Sequence, residues 1–306
     1  MAMNEQTKPE SPVIWQPGDA AEACALKAQL GEEGIFVAGG TLLRTWWEAG
    51  TARMPGHLID ISGLAAMQQS ISLVTSSSHR QNYQIGAAAL LSEVRNDSYI
   101  KTHYSLLTTS MKNIAAPSIR NLATIGGNVL SRVGDVLPAL LAYEAVLLWH
   151  DGQGEFQISL AQWLLEAQAT AAWQNLLLLA IILPPVDLTE QKGYSRVDVY
   201  HKVGRREVFT PSIATVAISA LVSSEQHIAD VRLAAGGGQT APKRLEHTER
   251  LLKDGMLDRS LLHACYASVM EHFHPSGDLF ASESYRKKIV ANLIVSELWK
   301  VMQPKS

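Results

Sequence analysis

Two short stretches of this chain combine residue types and spacing suited to binding an anion. They are Val37-Ala38-Gly39-Gly40-Thr41-Leu42 and Ala123-Thr124-Ile125-Gly126-Gly127-Asn128. Each sets two adjacent glycines at a sharp change of chain direction. Glycine admits positive φ and carries no Cβ to block a ligand. Consecutive backbone N–H groups can then converge on one anion. The first turn also opens a helix, whose free N–H groups and dipole favour a phosphate. Thr41 and Thr124 add hydroxyl donors. A pyrophosphate held from both sides needs two such turns. A single glycine pair is weak support, because most such pairs only make turns. Neither stretch matches G-x-x-x-x-G-K-[ST] or G-x-G-x-x-G, which disfavours Walker-type hydrolysis and a standard Rossmann site.

Other residue types offer less. His272 and His274 form an H-x-H pair without an evident third ligand, and an exposed helix end is the simpler reading. Cys24 and Cys265 lie far apart without C-x-x-C neighbours. That pattern disfavours a disulfide framework and a cysteine-held iron–sulfur cluster in this chain. No metal site and no catalytic nucleophile or base is expected. Trp46 and Trp47 follow the first turn; one is expected in the core and the other toward a partner subunit. Arg120 either braces the second turn through carbonyls or faces water. Arg205-Arg206-Glu207 reads as a solvated charge cluster or as ion-pair partners. Asn128 either bonds a ligand or caps its own turn.

The elements that position these residues follow from periodicity. The 306 residues suit two domains or three small ones. Hydrophobic residues make up 47% and charged residues 18%, a globular composition. A net charge of −3 gives no electrostatic reason for a nucleic-acid or anionic-membrane partner. Met1 to Pro12 is polar without a signal-type core. The most apolar run, Leu176 to Leu183, is too short to cross a bilayer, so no membrane insertion is expected and the cytoplasm is the default compartment. Helical spacing covers Asp19 to Leu30, with Asp19 as N-cap. Ile35–Ala38 reads as a buried strand, Gly39–Thr41 as a turn and Leu42–Glu48 as a helix. Strands are expected at His57–Ile61, Tyr83–Ala87, Val146–Trp149 and Leu176–Leu183. Helices are expected at Ser105–Ala115, Asp135–Ala145 and near Leu160–Glu166, with a turn-rich stretch at Ile119–Asn128. Pro184-Pro185 followed by Val186–Lys192 marks a boundary. Beyond it, Tyr194–Val203, Ser212–Val222 and Ile228–Ala235 alternate as strands of one antiparallel sheet, closed by Gly236-Gly237-Gly238. Helices near Pro242–Leu252, Asp258–His272 and Ser282–Met302 complete an α+β pattern.

Taken together, the segments resemble the FAD-binding subunit of the xanthine dehydrogenase and carbon monoxide dehydrogenase family. FVAGGTLL (Phe36 to Leu43) is similar to the family's first flavin loop. SIRNLATIGGNV (Ser118 to Val129) is similar to its second, which reads R-N-x-A-T-I-G-G-N, and this unbroken run is the most specific match. DVLPALLAYEA (Asp135 to Ala145), YHKVGRREVFTPSIATVAISA (Tyr200 to Ala220) and SESYRKKIVANLI (Ser282 to Ile294) follow in the family's order.

The resemblance implies two α/β subdomains, 1–65 and 66–185, gripping FAD in the manner of the vanillyl-alcohol oxidase class. A C-terminal domain, 190–306, of a three-stranded antiparallel sheet and a helical bundle would follow. It implies cofactor contacts from Phe36, Val37, Ala38, Gly39, Gly40, Thr41, Leu42 and Leu43 in the first loop. In the second loop it implies Thr124, Ile125, Gly126, Gly127 and Asn128. Asp135 would hydrogen-bond the cofactor, and Leu183 and Lys202 would lie near the flavin ring. Lys202 has two readings, a cation favouring the anionic reduced ring or a solvated lysine at a strand end. One stretch departs from the pattern. VLSRVG (Val129 to Gly134) is shorter than the family's segment, lacks its A-S-P and carries Arg132, which bears on Asp135's contact and on access to the flavin. In function, the resemblance implies an electron relay. Substrate would be oxidised on a large molybdopterin subunit, and electrons would pass through [2Fe–2S] clusters on a small subunit to this FAD and on to NAD or another acceptor. Two other readings stand beside it: a scaffold subunit that has lost FAD, and a stand-alone flavoenzyme.

Overall fold

The computed structural model describes residues 11–68, 72–75, 81–186, 193–205 and 212–303. Of the segments singled out in the sequence, most of the N-terminal tail, most of the linker after Pro185, and Arg206 and Glu207 lie outside the described residues.

The chain first builds β1 (Val13–Trp15), α1 (Ala20–Leu30), β2 (Gly34–Val37), α2 (Thr41–Glu48) and β3 (His57–Asp60). Asp19 caps α1 by accepting from Glu22 N at 2.8 Å, satisfying one of the helix's open N–H groups. Gly31 ends it at φ +56°. The three strands pair in parallel in the order β1-β3-β2.

The next stretch holds α3 (Ala65–Gln68), β4 (Ser72–Thr75), β5 (Gln81–Gly86), α4 (Leu91–Asn96), α5 (Ser98–His103) and α6 (Ser105–Lys112). It continues with α7 (Pro117–Arg120), α8 (Ile125–Leu130), α9 (Leu137–Ala142), β6 (Val146–His150), β7 (Glu155–Ser159), α10 (Leu160–Ala169) and β8 (Leu177–Leu183). Its strands form one antiparallel sheet ordered β4-β5-β8-β6-β7. All seven residues of β8 are buried, because this strand lies between β5 and β6 with both faces covered.

The last stretch holds β9 (Tyr194–Gly204), β10 (Ser212–Ser223), β11 (Ile228–Gly237), β12 (Thr240–Arg244), α11 (Glu246–Leu252), α12 (Arg259–His272) and α13 (Glu283–Val301). The strands are antiparallel in the order β12-β11-β10-β9. Period-two alternation divides this sheet's side chains between two cores. Tyr200, Ala217 and Ala234 join the core of the preceding elements. Val216, Ile218, Val231 and Leu233 face Cys265, Val290, Ile294 and Leu298 on α12 and α13. The sheet is thus a shared wall.

The α+β class is as expected, with one correction: the last sheet has four strands, not three. Gly236-Gly237-Gly238 does not close the sheet but reverses the chain, with Gly237 at φ +136° and Gly238 at +63°. The helix expected from Pro242 begins only at Glu246, and residues 240–244 pair with β11. Pro242 is tolerated there because β12 is an edge strand. Two helices are also shorter than expected: α6 stops at Lys112, and α9 starts at Leu137, leaving Asp135 in the preceding loop. Among the described residues no helix is long and apolar enough to cross a membrane.

Candidate functional site

The two glycine segments meet, but the second is not the expected turn: Gly126 and Gly127 lie in the first turn of α8, capped by Thr124. Gly39 packs so tightly on the second turn that a Cβ there would overlap the Leu122 carbonyl oxygen and lie 3.1 Å from Ala123 Cα. Gly126 is equally closed in, since a Cβ would lie 2.6 Å from the Ala87 carbonyl oxygen. Gly40 sits in the left-handed region at φ +63° and turns the chain directly into α2. Glycine is therefore required at Gly39 by contact and at Gly40 by backbone conformation.

The backbone donors of the two turns are used differently. Ile125 N donates to Ala89 O at 3.0 Å, Gly126 N to Ala87 O at 2.9 Å and Asn128 N to Thr124 O at 3.1 Å. Gly127 N donates to Thr124 Oγ1 at 3.1 Å, which caps α8. The amides of Ile125 to Asn128 are thus spent on the segment's own fold, and the Thr124 hydroxyl and the Asn128 side-chain amide are donors left at the cleft. The first turn is open. Among the described residues none accepts from the N–H groups of Gly39, Gly40, Thr41, Leu42 or Leu43, and no side chain caps α2. Arg44 N is the first to find a partner, Gly40 O at 2.8 Å. Five successive free amides at a helix start are an anion site in both charge and geometry.

Both turns line one cleft of about 480 Å³, within the range of small-molecule pockets. Phe36, Ala38, Gly39, Gly40, Thr41, Leu42 and Leu43 form one side, and Thr124, Gly126, Gly127 and Asn128 face them. Away from the open amides the walls are apolar, made by Ile61, Met67, Leu91, Ile114, Ile119 and Leu176 to Leu178. Trp46 also lines it and is 39% exposed, and neither Trp46 nor Trp47 takes the expected core position. No residue of α2 is buried, although Leu42, Leu43, Trp46 and Trp47 give it an apolar side. A helix in that state lacks a packing partner, and the cleft is where one would sit. A diphosphate on the open amides with flat rings along the apolar walls matches this arrangement, which is the chemistry of FAD.

Val37, Ile125, Asp135, Leu183 and Lys202 do not line the cleft. Ile125 is fully buried beneath the second turn. Leu183 is fully buried at the end of β8 remote from Leu176–Leu178. Lys202 is neither a solvated lysine nor a free cation: its Nζ lies 2.6 Å from Asp135 Oδ2 and donates to Asn113 O at 2.9 Å. Asn128 Oδ1 accepts from Val136 N at 3.2 Å, so its side chain holds the following loop even as the residue lines the cleft. Arg120 neither faces water nor braces the second glycine segment; it holds the stretch after α6, donating through Nη1 to Ile114 O and Ala115 O. Arg132, at φ +59°, turns to Ala167 O at 2.5 Å on the last turn of α10 and leaves Leu130 and Ser131 at the cleft.

Burial pushes both thiols up, Cys265 to about 12, so neither is a ready nucleophile. Among the described residues no cluster of histidine, cysteine and carboxylate could hold a metal. His272 stacks on His247 with centroids 4.1 Å apart, and His274 pairs with Glu283. The residues sequence reasoning missed are Ile61, Met67, Leu91, Ile114 and Leu176–Leu178. They carry no local signal, being apolar residues like any others of the core.

Comparison with known proteins agrees with this geometry. Residues 6–186 match the family described as the FAD binding domain in molybdopterin dehydrogenase. Residues 199–300 match the CO dehydrogenase flavoprotein C-terminal domain. The chain is 26% identical over 247 residues to a xanthine dehydrogenase FAD-binding subunit of Escherichia coli O157:H7, covering 79% of this chain and 80% of that one. It is 25% identical over 285 residues to the carbon monoxide dehydrogenase medium chain of Hydrogenophaga pseudoflava, covering 91% and 92%. The fold is that of a carbon monoxide dehydrogenase structure from Hydrogenophaga pseudoflava, with a TM-score of 0.81 at 21% identity over 96% of this chain and 99% of that one. With a family match over more than half its length, the chain belongs to the FAD-binding family of the molybdopterin dehydrogenases, as an FAD-dependent oxidoreductase subunit.

Proposed function

We propose that this chain relays electrons from [2Fe–2S] clusters on a small partner subunit, through one FAD, to NAD or another acceptor. The complex would also contain a large molybdopterin subunit on which substrate is oxidised. A division into 1–65, 66–185 and 190–306 and a cytoplasmic location belong to the same reading. The observation that carries it is the run of free amides from Gly39 to Leu43 at the uncapped start of α2, facing a second glycine turn in direct contact.

Bound FAD supplies the redox chemistry, accepting and releasing electrons at its ring. The chain's own residues bind and orient it. The amides of Gly39 to Leu43 would hold the diphosphate, and the Thr124 hydroxyl would be available to it as a donor. Trp46, Met67 and Leu176 to Leu178 would exclude water from the cofactor's rings. Val37 and Ile125 support the turns from behind. Asp135, paired with Lys202, supports the cleft indirectly, and Leu183 at the buried end of β8 keeps its proposed place near the flavin ring. Electron transfer requires no side chain to move a proton. The names of the relatives, a medium chain of carbon monoxide dehydrogenase among them, support a multi-subunit setting.

The test is to identify the cofactor released by heat and the subunits retained by the tagged chain. FAD at one per chain, with a molybdopterin subunit and a small [2Fe–2S] subunit, is expected. Protein that stays colourless after incubation with FAD would instead be a scaffold, and yellow protein that oxidises a small molecule unaided would be an independent flavoenzyme; either overturns the reading.

A further inference from the structure

One wall of the cleft is held by cations from two different parts of the chain. The segment Asn113-Ile114-Ala115 follows α6, and Ile114 and Ala115 line the cleft. Ala115 sits at φ +40°, a conformation an alanine holds only when its surroundings impose it. Two side chains impose it through the carbonyls of this segment. Asn113 O accepts from Lys202 Nζ at 2.9 Å. Ile114 O and Ala115 O accept from Arg120 Nη1 at 2.7 and 2.6 Å. Three successive carbonyls are thereby fixed by two cations. Arg120, only 9% exposed, comes from α7 beside the second glycine turn. Lys202 comes from β9 in the four-stranded sheet. Lys202 is itself anchored, since Asp135 Oδ2 lies 2.6 Å from its ammonium and the Asp135 carbonyl accepts from Tyr200 OH at 2.7 Å.

We infer that Lys202 and Arg120 are positioning residues that hold the 113–115 wall of the FAD cleft, so that cofactor affinity depends on the docking of the C-terminal sheet. The inference rests on the reading of the cleft as the FAD site. Lys202 acts through the Asn113 carbonyl, and its charge is already matched by Asp135.

The test uses the full chain and its Lys202→Met, Lys202→Arg, Arg120→Met and Arg120→Lys variants. Three readouts are taken: the FAD dissociation constant, the reduction potential of bound flavin, and hydrogen exchange at the Ile114 amide in apoprotein. That amide donates to Met111 O. Each methionine variant is expected to weaken FAD binding by about tenfold, the loss of roughly one charge-assisted hydrogen bond. Each is also expected to speed exchange at Ile114, while the arginine and lysine variants regain most of the affinity. Wild-type affinity and exchange in Lys202→Met overturn the inference. So does a shifted potential at unchanged affinity, which would make Lys202 a charge acting on the ring itself. Should a methionine variant not fold, Lys202→Gln and Arg120→Gln take its place, and exchange at Ile114 equal to that of wild type in both overturns the inference. Failure of the wild-type chain to bind FAD fails the functional reading first, and is distinct from all of these outcomes.

Discussion

At Gly39 the absence of a single methyl group decides whether two turns can touch. Adding Cβ there would drive it into the Leu122 carbonyl, backbone against backbone, with no flexible side chain to yield. Gly39→Ala is therefore expected to destabilise the chain by about 1–3 kcal/mol and to abolish FAD retention. Thermal unfolding and bound flavin measured on the same sample check this; an alanine variant that stays yellow and equally stable would contradict it. Such positions are legible in sequence because glycine is the only residue that fits them. Thr124 was legible as a hydroxyl beside the turn, but its cap was not: its oxygen closes the start of α8, and only its proton remains for a ligand. Lys202 and Asp135 pair with each other across 67 positions of sequence, a partnership that no spacing rule reveals.

Among the elements, α2 is the one whose sequence and packing disagree. It is amphipathic, yet none of its residues is buried. A helix of eight residues has little stability alone, so its apolar side is expected to be completed by the cofactor. Trp46→Ala should then weaken FAD binding by roughly threefold to tenfold, the worth of one aromatic contact. It should leave the unfolding temperature of apoprotein nearly unchanged, because Trp46 is 39% exposed. A large loss of apoprotein stability with unchanged FAD affinity would place Trp46 in the core instead. Long periodic elements such as α1, α12, α13, β8, β10 and β11 were readable, the cap Asp19 included; the caps Asp258 and Ser282 were not read. The edge strand β12 was not, because a glycine run followed by Pro242 signals the end of a sheet as readily as a hairpin. The helices α3, α4, α5, α7 and α8, of four to six residues, are too short for a 3.6-residue period to show.

Across the whole molecule, the four-stranded sheet joins the cofactor-binding part to the C-terminal helices. Glu144 reaches from the end of α9 to Arg232 at 3.3 Å and Arg244 at 2.6 Å. Asp198 accepts from Ser105 and Tyr143. Burial acts to raise the Glu144 carboxyl, but Arg232 and Arg244 outweigh it and hold it below its ordinary value of 4.5. A carboxyl depressed on folding contributes stability fully above that ordinary value and loses it as pH falls through the lower folded value. Glu144→Gln should therefore unfold at lower temperature than wild type near neutral pH, with the two converging below about pH 4.5. A gap that persists or widens in acid would contradict this, and half-exposure of Glu144 keeps the gap small. The order and class of the elements were legible from sequence, but these cross-links were not, because they join residues far apart in the chain.

The open amides of the first turn carry the whole functional reading, and hydrogen exchange resolved to single amides, with and without FAD, tests them directly. Gly39 to Leu43 should exchange freely in apoprotein and become protected on adding FAD, while Gly126 to Asn128, already bonded internally, should change little. FAD that binds without slowing exchange anywhere from Gly39 to Leu43 would contradict that reading.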